Sequence, residues 1–262
     1  MNKFEKYLAI FRLSFIHTIK NYKALVGLSV FLMTCLVIFA NLWKFVAANR
    51  GIVTFSPEQL LWYIALNEWI LVSVPDIHED MEHDLRSGRH AYLLPRPVSY
   101  LGSVFAEAAG ALSVNLIVLG LVTFLFTWYQ AGALPFHFSG LLLSAAFAIA
   151  AGVLSLLFRM LIGLSAFWLN DSEPLFWIWE KLLFMFGGLM IPLSIYPLWM
   201  QNIAVLTPFP AILGERSALV FEFSSRQVSL LSLSYVFWGT ICMILILIVY
   251  RRALRILNVE GG

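Results

Sequence analysis

Long apolar runs separated by short polar segments make up most of the chain. Four runs carry no charged residue and, as helices, are long enough to cross about 30 Å of hydrocarbon. They cover residues 24–43, 108–129, 138–158 and 228–250. Two further runs are equally apolar but contain ionisable residues. The pattern predicts an all-α membrane protein with six transmembrane helices, at about 24–46, 55–74, 101–129, 138–165, 174–191 and 228–250.

The segments outside these spans are more than connecting loops. Residues 1–23 place four large apolar side chains at helical spacing, which predicts an amphipathic helix lying along the membrane surface. These side chains are Phe4, Leu8, Phe11 and Phe15. Residues 192–227 are mostly apolar but are interrupted by prolines, which predicts short helices that re-enter the outer leaflet. We expect residues 251–262 to form a cytoplasmic tail.

The distribution of basic residues predicts the orientation. With a cytoplasmic N-terminus, twelve lysines and arginines lie in inner segments and four in outer segments. The inner residues are Lys3, Lys6, Arg12, Lys20, Lys23, Arg86, Arg89, Arg96, Arg159, Arg251, Arg252 and Arg255. The outer residues are Lys44, Arg50, Arg216 and Arg226. By the positive-inside rule, the sequence predicts a multi-pass protein of the plasma (inner) membrane with both termini in the cytoplasm.

The composition argues against several other classes of protein. Hydrophobic residues make up 61% of the 262 residues and charged residues 12%. Soluble domains carry about 25% charged residues, so a soluble enzyme does not fit. The net charge of +2 is too small and too scattered to predict nucleic-acid binding. Cys35 and Cys242 both lie in apolar runs, which predicts packing roles rather than a disulfide or a metal site.

No arrangement of residues predicts catalysis or a bound cofactor. The chain lacks the glycine-rich motif that cradles nucleotide phosphates. His78 and His83 are five residues apart, about 140° around a helix, whereas the helix of a zinc protease needs a spacing of four. Ser165 has no histidine in a membrane span to act as its base. We therefore expect no metal or cofactor on this chain, and an intramembrane enzyme or a non-transporting scaffold stays as an alternative.

Segment 75–89 is the main polar excursion between two spans. Read as a helix, it places an apolar stripe beside an acidic stripe, each with a spacing of four residues. The apolar stripe is Ile77, Met81 and Leu85, and the acidic stripe is Asp76, Asp80 and Asp84. A short helix of this kind is typical of a docking element for a basic partner protein. A solvated charged loop would have the same composition.

The sequence that follows this segment resembles a known family. It reads Gly88-Arg-His-Ala-Tyr-Leu-Leu-Pro-Arg96-Pro97-Val98-Ser-Tyr-Leu101. Other matching motifs, in order along the chain, are Lys6-Tyr7, Asn21-Tyr22-Lys23, Asn41-Leu42-Trp43, Gly187-Gly188, Pro192-Leu193, Pro197 and Pro208-Phe209. Together they resemble the membrane subunits of ABC-2-type transporters, in the branch with Gly…Leu-Leu-x-Arg-Pro-Val before the third span. Pro95 departs from the pattern, because the family more often has an apolar residue there.

The resemblance implies a permease subunit of an ATP-driven exporter, forming half of the substrate pathway. It also implies a second permease, identical or homologous, and two copies of a separate ATPase that holds ATP and Mg. Residues 75–89 would then be the coupling helix that docks into the ATPase. The expected docking residues are Asp76, Ile77, Glu79, Asp80, Met81, Asp84, Leu85, Arg86, Gly88 and Arg89. Neither the motifs nor the composition identifies the substrate.

Ionisable residues inside the second and fifth spans indicate a substrate pathway. A charged side chain in mid-bilayer normally faces protein or water rather than lipid. In the transporters that the chain resembles, these two helices line the dimer interface. The expected pathway residues are Asn67, Glu68, Trp69, Glu180 and Lys181. One alternative is a buried ion pair between Glu68 and Lys181 that joins the two helices. In the other, each of these side chains extends to the inner headgroups of the lipid.

Overall fold

The computed structural model describes residues 2–49, 55–89, 98–169, 171–221 and 223–260. These ranges consist of helices and short connections. The α-helices are α1 (Lys3–Lys20), α2 (Tyr22–Asn49), α3 (Pro57–Ser73), α4 (Ile77–Arg86), α5 (Tyr100–Ala131), α6 (Phe138–Leu164), α7 (Ala166–Leu169), α8 (Glu173–Phe186), α9 (Leu198–Val205), α10 (Phe209–Ile212), α11 (Gly214–Ala218) and α12 (Ser225–Glu260). A 3₁₀ helix covers Leu193–Ile195.

Within the described ranges, five segments are long and apolar enough to cross a membrane. They are Tyr22–Val46, Pro57–Arg86, Tyr100–Ala131, Phe138–Leu169 and Ser225–Arg255. The second of them contains α3, α4 and the break between these two helices. The prediction of an all-α membrane protein is therefore confirmed.

The sixth predicted span, 174–191, corresponds to α8. This helix has 14 residues, so it is about 21 Å long and shorter than the hydrocarbon layer of about 30 Å. It ends at Phe186, and Gly188, two residues on, has a left-handed φ of 70°. Glycine adopts that conformation at no steric cost, which explains why the helix stops here. A count of six spans stays a prediction.

α3 forms the centre of the bundle. Its side chains are buried without a break from residue 60 to residue 70, and it packs against α2, α5 and α11. The helix begins at a capping box. Ser56 Oγ accepts a hydrogen bond from the Gln59 N–H at 3.2 Å, and Gln59 Oε1 accepts one from the Ser56 N–H at 2.9 Å. A helix that is covered on all sides needs no polar face, which is why α3 is apolar around most of its circumference.

α1 lies alongside the first turns of α5. The hydroxyl of Tyr7 accepts a hydrogen bond from the Ser99 N–H at 3.0 Å, next to the start of α5. About two helical turns further along both helices, Ser14 Oγ donates to the Glu107 carbonyl oxygen at 2.7 Å. α5 has 32 residues and is about 48 Å long, more than the hydrocarbon thickness, so its length leaves room for this contact beyond the lipid core.

The backbones of α1 and α5 meet at Gly110. A Cβ atom at this position would lie 2.5 Å from the Phe11 carbonyl oxygen and 3.0 Å from the Phe15 amide nitrogen, so only glycine fits. The predicted membrane-surface helix therefore places one side against its own chain, while Phe4 is exposed. The position of α1 along the membrane surface stays a prediction.

α12 packs against α6 and leaves much of its apolar surface exposed. It continues through Arg251, Arg252 and Arg255 to Glu260. Residues 251–260, expected as a tail, are therefore a continuation of the last helix. Charged side chains do not end a helix, and residues 251–260 contain no glycine or proline.

Residues 187–221 form short helices at the end of the bundle opposite α4. The segment is joined to its surroundings by backbone and side-chain contacts: the Gly214 N–H donates to the Gly187 carbonyl oxygen at 2.9 Å, and the Tyr235 hydroxyl donates to the Ala211 carbonyl oxygen at 2.5 Å. Several of its apolar side chains are exposed, namely Leu198, Trp199, Ile203 and Leu206. Such a surface is suited to contact with lipid or with another protein.

Candidate functional site

The apolar side of α4 packs against α6 of the same chain. Ile77 and Met81 are 4% and 0% exposed and belong to the main hydrophobic core, and Leu85 is half-buried. Ile77 and Met81 therefore anchor α4 to the bundle. The docking role predicted for residues 75–89 stays a prediction.

Arg159 of α6 holds the break between α3 and α4. Its guanidinium donates to the Val74 carbonyl oxygen at 2.8 Å and forms an ion pair with Asp76. The side chain is 8% exposed and lies over the Phe176 ring, 5.1 Å from its centroid. A buried charge is tolerated when it is paired and hydrogen-bonded. Arg159 therefore ties the start of α4 to α6 and to α8.

A second connection joins α4 to the start of α8. The carboxylate of Glu82 accepts hydrogen bonds from the backbone N–H of Ser172 at 2.8 Å and from its hydroxyl at 2.7 Å. Glu82 also pairs with Arg86 one turn further along α4, at 2.9 Å. Since Ser172 directly precedes α8, these bonds fix the position of α4 relative to that helix.

Three side chains at this connection are close enough to be considered as metal ligands. Ligand atoms of His78, Glu79 and Glu173 lie within 4.8 Å of one another. His78 Nε2 is 3.4 Å from Glu173 Oε2, and the imidazole stacks on Phe176 with ring centroids 4.0 Å apart. The described residues give the buried His78 Nδ1 no hydrogen-bond partner, whereas a metal-bound imidazole usually donates a hydrogen bond from its other nitrogen. The group therefore fits a contact between α4 and α8 better than a metal centre.

The acidic side of α4 is its exposed side. Asp76 has a side chain that is 56% exposed, and Glu79 and Asp80 are exposed as well. Asp84 is largely covered and pairs with Arg89 at 3.3 Å. Gly88, with a left-handed φ of 68°, turns the chain just after the helix. Among the acidic residues of α4, Glu79 and Asp80 are exposed and form no ion pair with another described residue, and Arg86, Gly88 and Arg89 are exposed beside them.

The motif that suggested the family lies mostly outside the described residues. Gly88, Arg89 and Val98 are described, whereas Pro95, Arg96 and Pro97 are not. The structure therefore describes the predicted coupling segment 75–89, including α4, but only the first two residues of the motif and the part that begins at Val98.

Two of the predicted pathway residues bind the backbone of their own chain. Asn67 is fully buried, and its Nδ2 donates to the carbonyl oxygens of Gly188 and Leu189, each at 3.1 Å. Trp69 Nε1 donates to the Leu116 carbonyl oxygen at 2.9 Å. Both side chains therefore join α3 to neighbouring segments.

Glu68 and Lys181 do not form the ion pair considered as an alternative. Lys181 Nζ lies 3.1 Å from Glu180 Oε2, and the Lys181 side chain is 65% exposed. Glu68 is 5% exposed and faces the region of Cys35 on α2. No hydrogen bond or ion pair to Glu68 is found in the described part of the chain. Glu68 is therefore a buried carboxyl group for which the described residues provide no partner.

A family model described as ABC-2 family transporter protein matches residues 50–261. The chain belongs to the ABC-2 transporter family. It is thus a multi-pass membrane protein and a transport subunit rather than an enzyme, and members of this family generally work with an ATPase subunit. The match leaves out α1 and α2. No curated protein matches the chain.

Sequence reasoning missed the two buried arginines of this ABC-2 chain. Arg159 and Arg216 were used only to predict the orientation, although Arg159 lies inside the predicted span 138–165. Arg216 is 0% exposed. A single arginine within apolar surroundings is the signal that could have identified both, because such a charge is retained only where it binds protein groups.

Arg216 joins three parts of the bundle. Its guanidinium donates to the Leu66 carbonyl oxygen of α3 at 2.5 Å, to Ser144 Oγ of α6 at 3.1 Å and to Ser217 Oγ at 3.1 Å. It also lies 5.8 Å from the ring centroid of Trp69. In this ABC-2 chain, Arg216 therefore connects the segment 187–221 to the centre of the bundle.

Proposed function

We propose that this ABC-2 chain is the permease subunit of an ATP-driven exporter and forms half of its substrate pathway. A second permease, identical or homologous, would complete the pathway. Two copies of a separate ATPase subunit, holding ATP and Mg, would bind α4. The observation that carries the proposal is the arrangement of α4, whose apolar side is buried in its own chain and whose acidic side is exposed. The exposed acidic side chains of such a helix can attract a basic partner while the helix stays packed against its own chain.

The proposal places α4 on the cytoplasmic side of the plasma membrane. Basic residues concentrate at the α4 end of the bundle, on α1, on α4 and at the end of α12. They include Arg12 of α1, Arg86 of α4, and Arg251 and Arg252 of α12. The positive-inside rule supports a cytoplasmic position for this end and hence for both termini.

The contacts of α4 support a route by which movement of the ATPase would reach the membrane. Arg159 ties α4 to α6, and Glu82 ties it to Ser172 before α8. Closing of the ATPase dimer on ATP would displace α4, and α6 and α8 would move with it. Alternating access by rigid-body movement requires such a stiff connection.

Glu68 is the best supported candidate for the substrate pathway. A partnerless carboxyl group in a membrane helix is costly, and such residues commonly serve transport. Asn67 and Trp69 bind backbone, and Glu180 and Lys181 pair with each other, so these four have structural partners.

Reversing the charge of Asp80 tests the docking role of α4. We expect Asp80→Lys to lower the amount of ATPase that co-purifies with the permease by roughly tenfold or more, because like charges at an interface cost several kcal/mol. Asp84→Lys is a poorer choice, since it would also break the pair with Arg89. The measurement is quantitative co-purification from membranes that contain both subunits.

The matched control is Glu5→Lys, which makes the same change of charge at the same end of the bundle but on α1, where the Glu5 carboxylate accepts only a local bond from the Asn2 N–H among the described contacts. It should leave co-purification unchanged. If an inserted and monodisperse Asp80→Lys protein retained the ATPase as wild type does, α4 would not be the docking element.

A further inference from the structure

A cleft lies at the end of the bundle opposite α4. It encloses about 180 Å³ between the start of α3, the 3₁₀ helix, α11 and the start of α12. Its walls combine aromatic and aliphatic side chains with a few polar groups. They include Phe55, Gln59, Leu193, Glu215, Phe221 and Gln227. Apolar walls with a few polar groups are typical of sites for small organic ligands.

Glu215 is the acidic residue of this cleft. The described residues give its carboxylate no hydrogen bond and no ion pair, although Arg216 is its neighbour in sequence. Arg216 instead donates to α3 and α6. Burial raises the pKa of the Glu215 carboxyl group, so its ionised form would gain from a cation in the cleft.

The floor of the cleft is fixed by the fold. The Tyr63 hydroxyl donates to the Gly188 carbonyl oxygen at 2.6 Å, and the Gly214 N–H donates to the Gly187 carbonyl oxygen at 2.9 Å. A Cβ atom at position 214 would lie 2.5 Å from the Tyr63 hydroxyl oxygen, so the two lining segments meet closely. The position of Glu215, next to Gly214, is therefore set before any ligand binds, which reduces the entropic cost of binding.

We propose that this cleft binds an organic cation, with an ammonium group at Glu215 and an apolar body against Phe55 and Phe221. A carboxylate together with aromatic rings attracts an alkylammonium group through both charge and the faces of the rings. Metal ions such as Ca²⁺ prefer six to eight oxygen ligands, which these largely apolar walls do not offer. The ligand class is therefore an amine or quaternary ammonium compound with a hydrophobic part.

This inference rests on the proposed export function in one respect. If α4 faces the cytoplasm, the cleft lies on the outer side of the membrane, where an exported cation would be held before release. Binding itself can be measured without the ATPase, so it is tested separately from transport.

The experiment is calorimetric titration of the permease in lipid nanodiscs, without ATPase, using benzyltrimethylammonium as the probe. We expect saturable binding to wild type and binding roughly tenfold weaker or more in Glu215→Gln, which removes the charge and keeps the shape. The matched control is Glu58→Gln, which removes a carboxylate at the same end of the bundle but outside the cleft. It should bind the probe as wild type does.

Two further measurements keep the proposal testable if Glu215→Gln does not fold. Neopentylbenzene, the uncharged carbon analogue of the probe, should not compete with it, and Phe221→Leu should weaken binding several-fold. No saturable binding by wild type, equal affinity of Glu215→Gln, or full competition by neopentylbenzene would each overturn the proposal. None of these results bears on whether α4 binds an ATPase, and loss of ATPase co-purification would not affect them.

Discussion

Replacing Asn67 by leucine tests whether this residue holds the bundle together or serves the substrate. The substitution keeps a similar side-chain volume and removes the amide group. In the wild type, Asn67 Nδ2 donates to the carbonyl oxygens of Gly188 and Leu189 at 3.1 Å each, and Oδ1 accepts from Ser217 Oγ at 2.6 Å. These bonds join α3 to the turn after α8 and to α11, so we expect the variant to lose stability.

The size of the loss follows from the partners left behind. Three neutral hydrogen bonds contribute about 0.5–1.5 kcal/mol each. The Gly188 carbonyl oxygen keeps its bond from the Tyr63 hydroxyl at 2.6 Å, and Ser217 Oγ keeps its bond from Arg216 at 3.1 Å. The Leu189 carbonyl oxygen loses its side-chain donor, and an unsatisfied buried group costs about 1–3 kcal/mol. The lower limits of these contributions add to about 2.5 kcal/mol, so we expect Asn67→Leu to lower the free energy of unfolding by at least that amount.

Equilibrium unfolding in mixed micelles, followed by tryptophan fluorescence, measures this change. Asn41→Leu is the matched control, because Asn41 is exposed on α2 and donates to the Val37 carbonyl oxygen one turn earlier in the same helix, at 2.8 Å. That control should change the free energy by less than about 0.5 kcal/mol. An Asn67→Leu protein as stable as wild type but unable to transport would refute the structural role and assign Asn67 to the pathway.

Two further predictions concern the contacts of Arg159 and the protonation of Glu215. Arg159→Met removes the hydrogen-bond donor to the Val74 carbonyl oxygen and the ion-pair partner of Asp76. Amide hydrogen exchange should therefore become faster across α4 but not in the middle of α3. Unchanged exchange in α4 would contradict this prediction. Because burial raises the pKa of Glu215 above 4.5, the folded state binds its proton more tightly than the unfolded state. Stability should fall as pH rises from 4.5 through the raised pKa, and Glu215→Gln should remove that part of the pH profile of Tm. A variant profile parallel to wild type would contradict it.

The long helices could be predicted from the sequence because a helix in hydrocarbon must be apolar over about 20 residues. α2, α5, α6 and α12 contain the four uncharged runs. Helix ends were harder to predict, because an apolar run in the sequence need not end at the residue where the helix ends. α12 continues past Arg251, and α8 ends at Phe186, five residues before the predicted limit of 191.

The candidate site was less predictable, because residue spacing defines the faces of a helix but not what covers them. The apolar and acidic stripes of α4 exist, yet the side with Ile77 and Met81 is covered by α6 of the same chain. In the same way, the charges of Lys181 and Glu68 suggested a pair, but Lys181 has a nearer partner in Glu180. Distances between helices decide such questions, and they depend on the packing of the whole bundle.

The close contact between α1 and α5 has a consequence for how the chain is made. Phe11 is synthesised 99 residues before Gly110, the residue against which its backbone packs. At about 5–20 residues per second, this separates the two by roughly 5–20 s. During that interval α1 exists without its partner, and the adjacent lipid surface is the apolar surface that its phenylalanines can reach. The amphipathic pattern of α1 therefore suits two neighbours in turn: the bilayer while the chain is being translated, and α5 once the third span has been inserted.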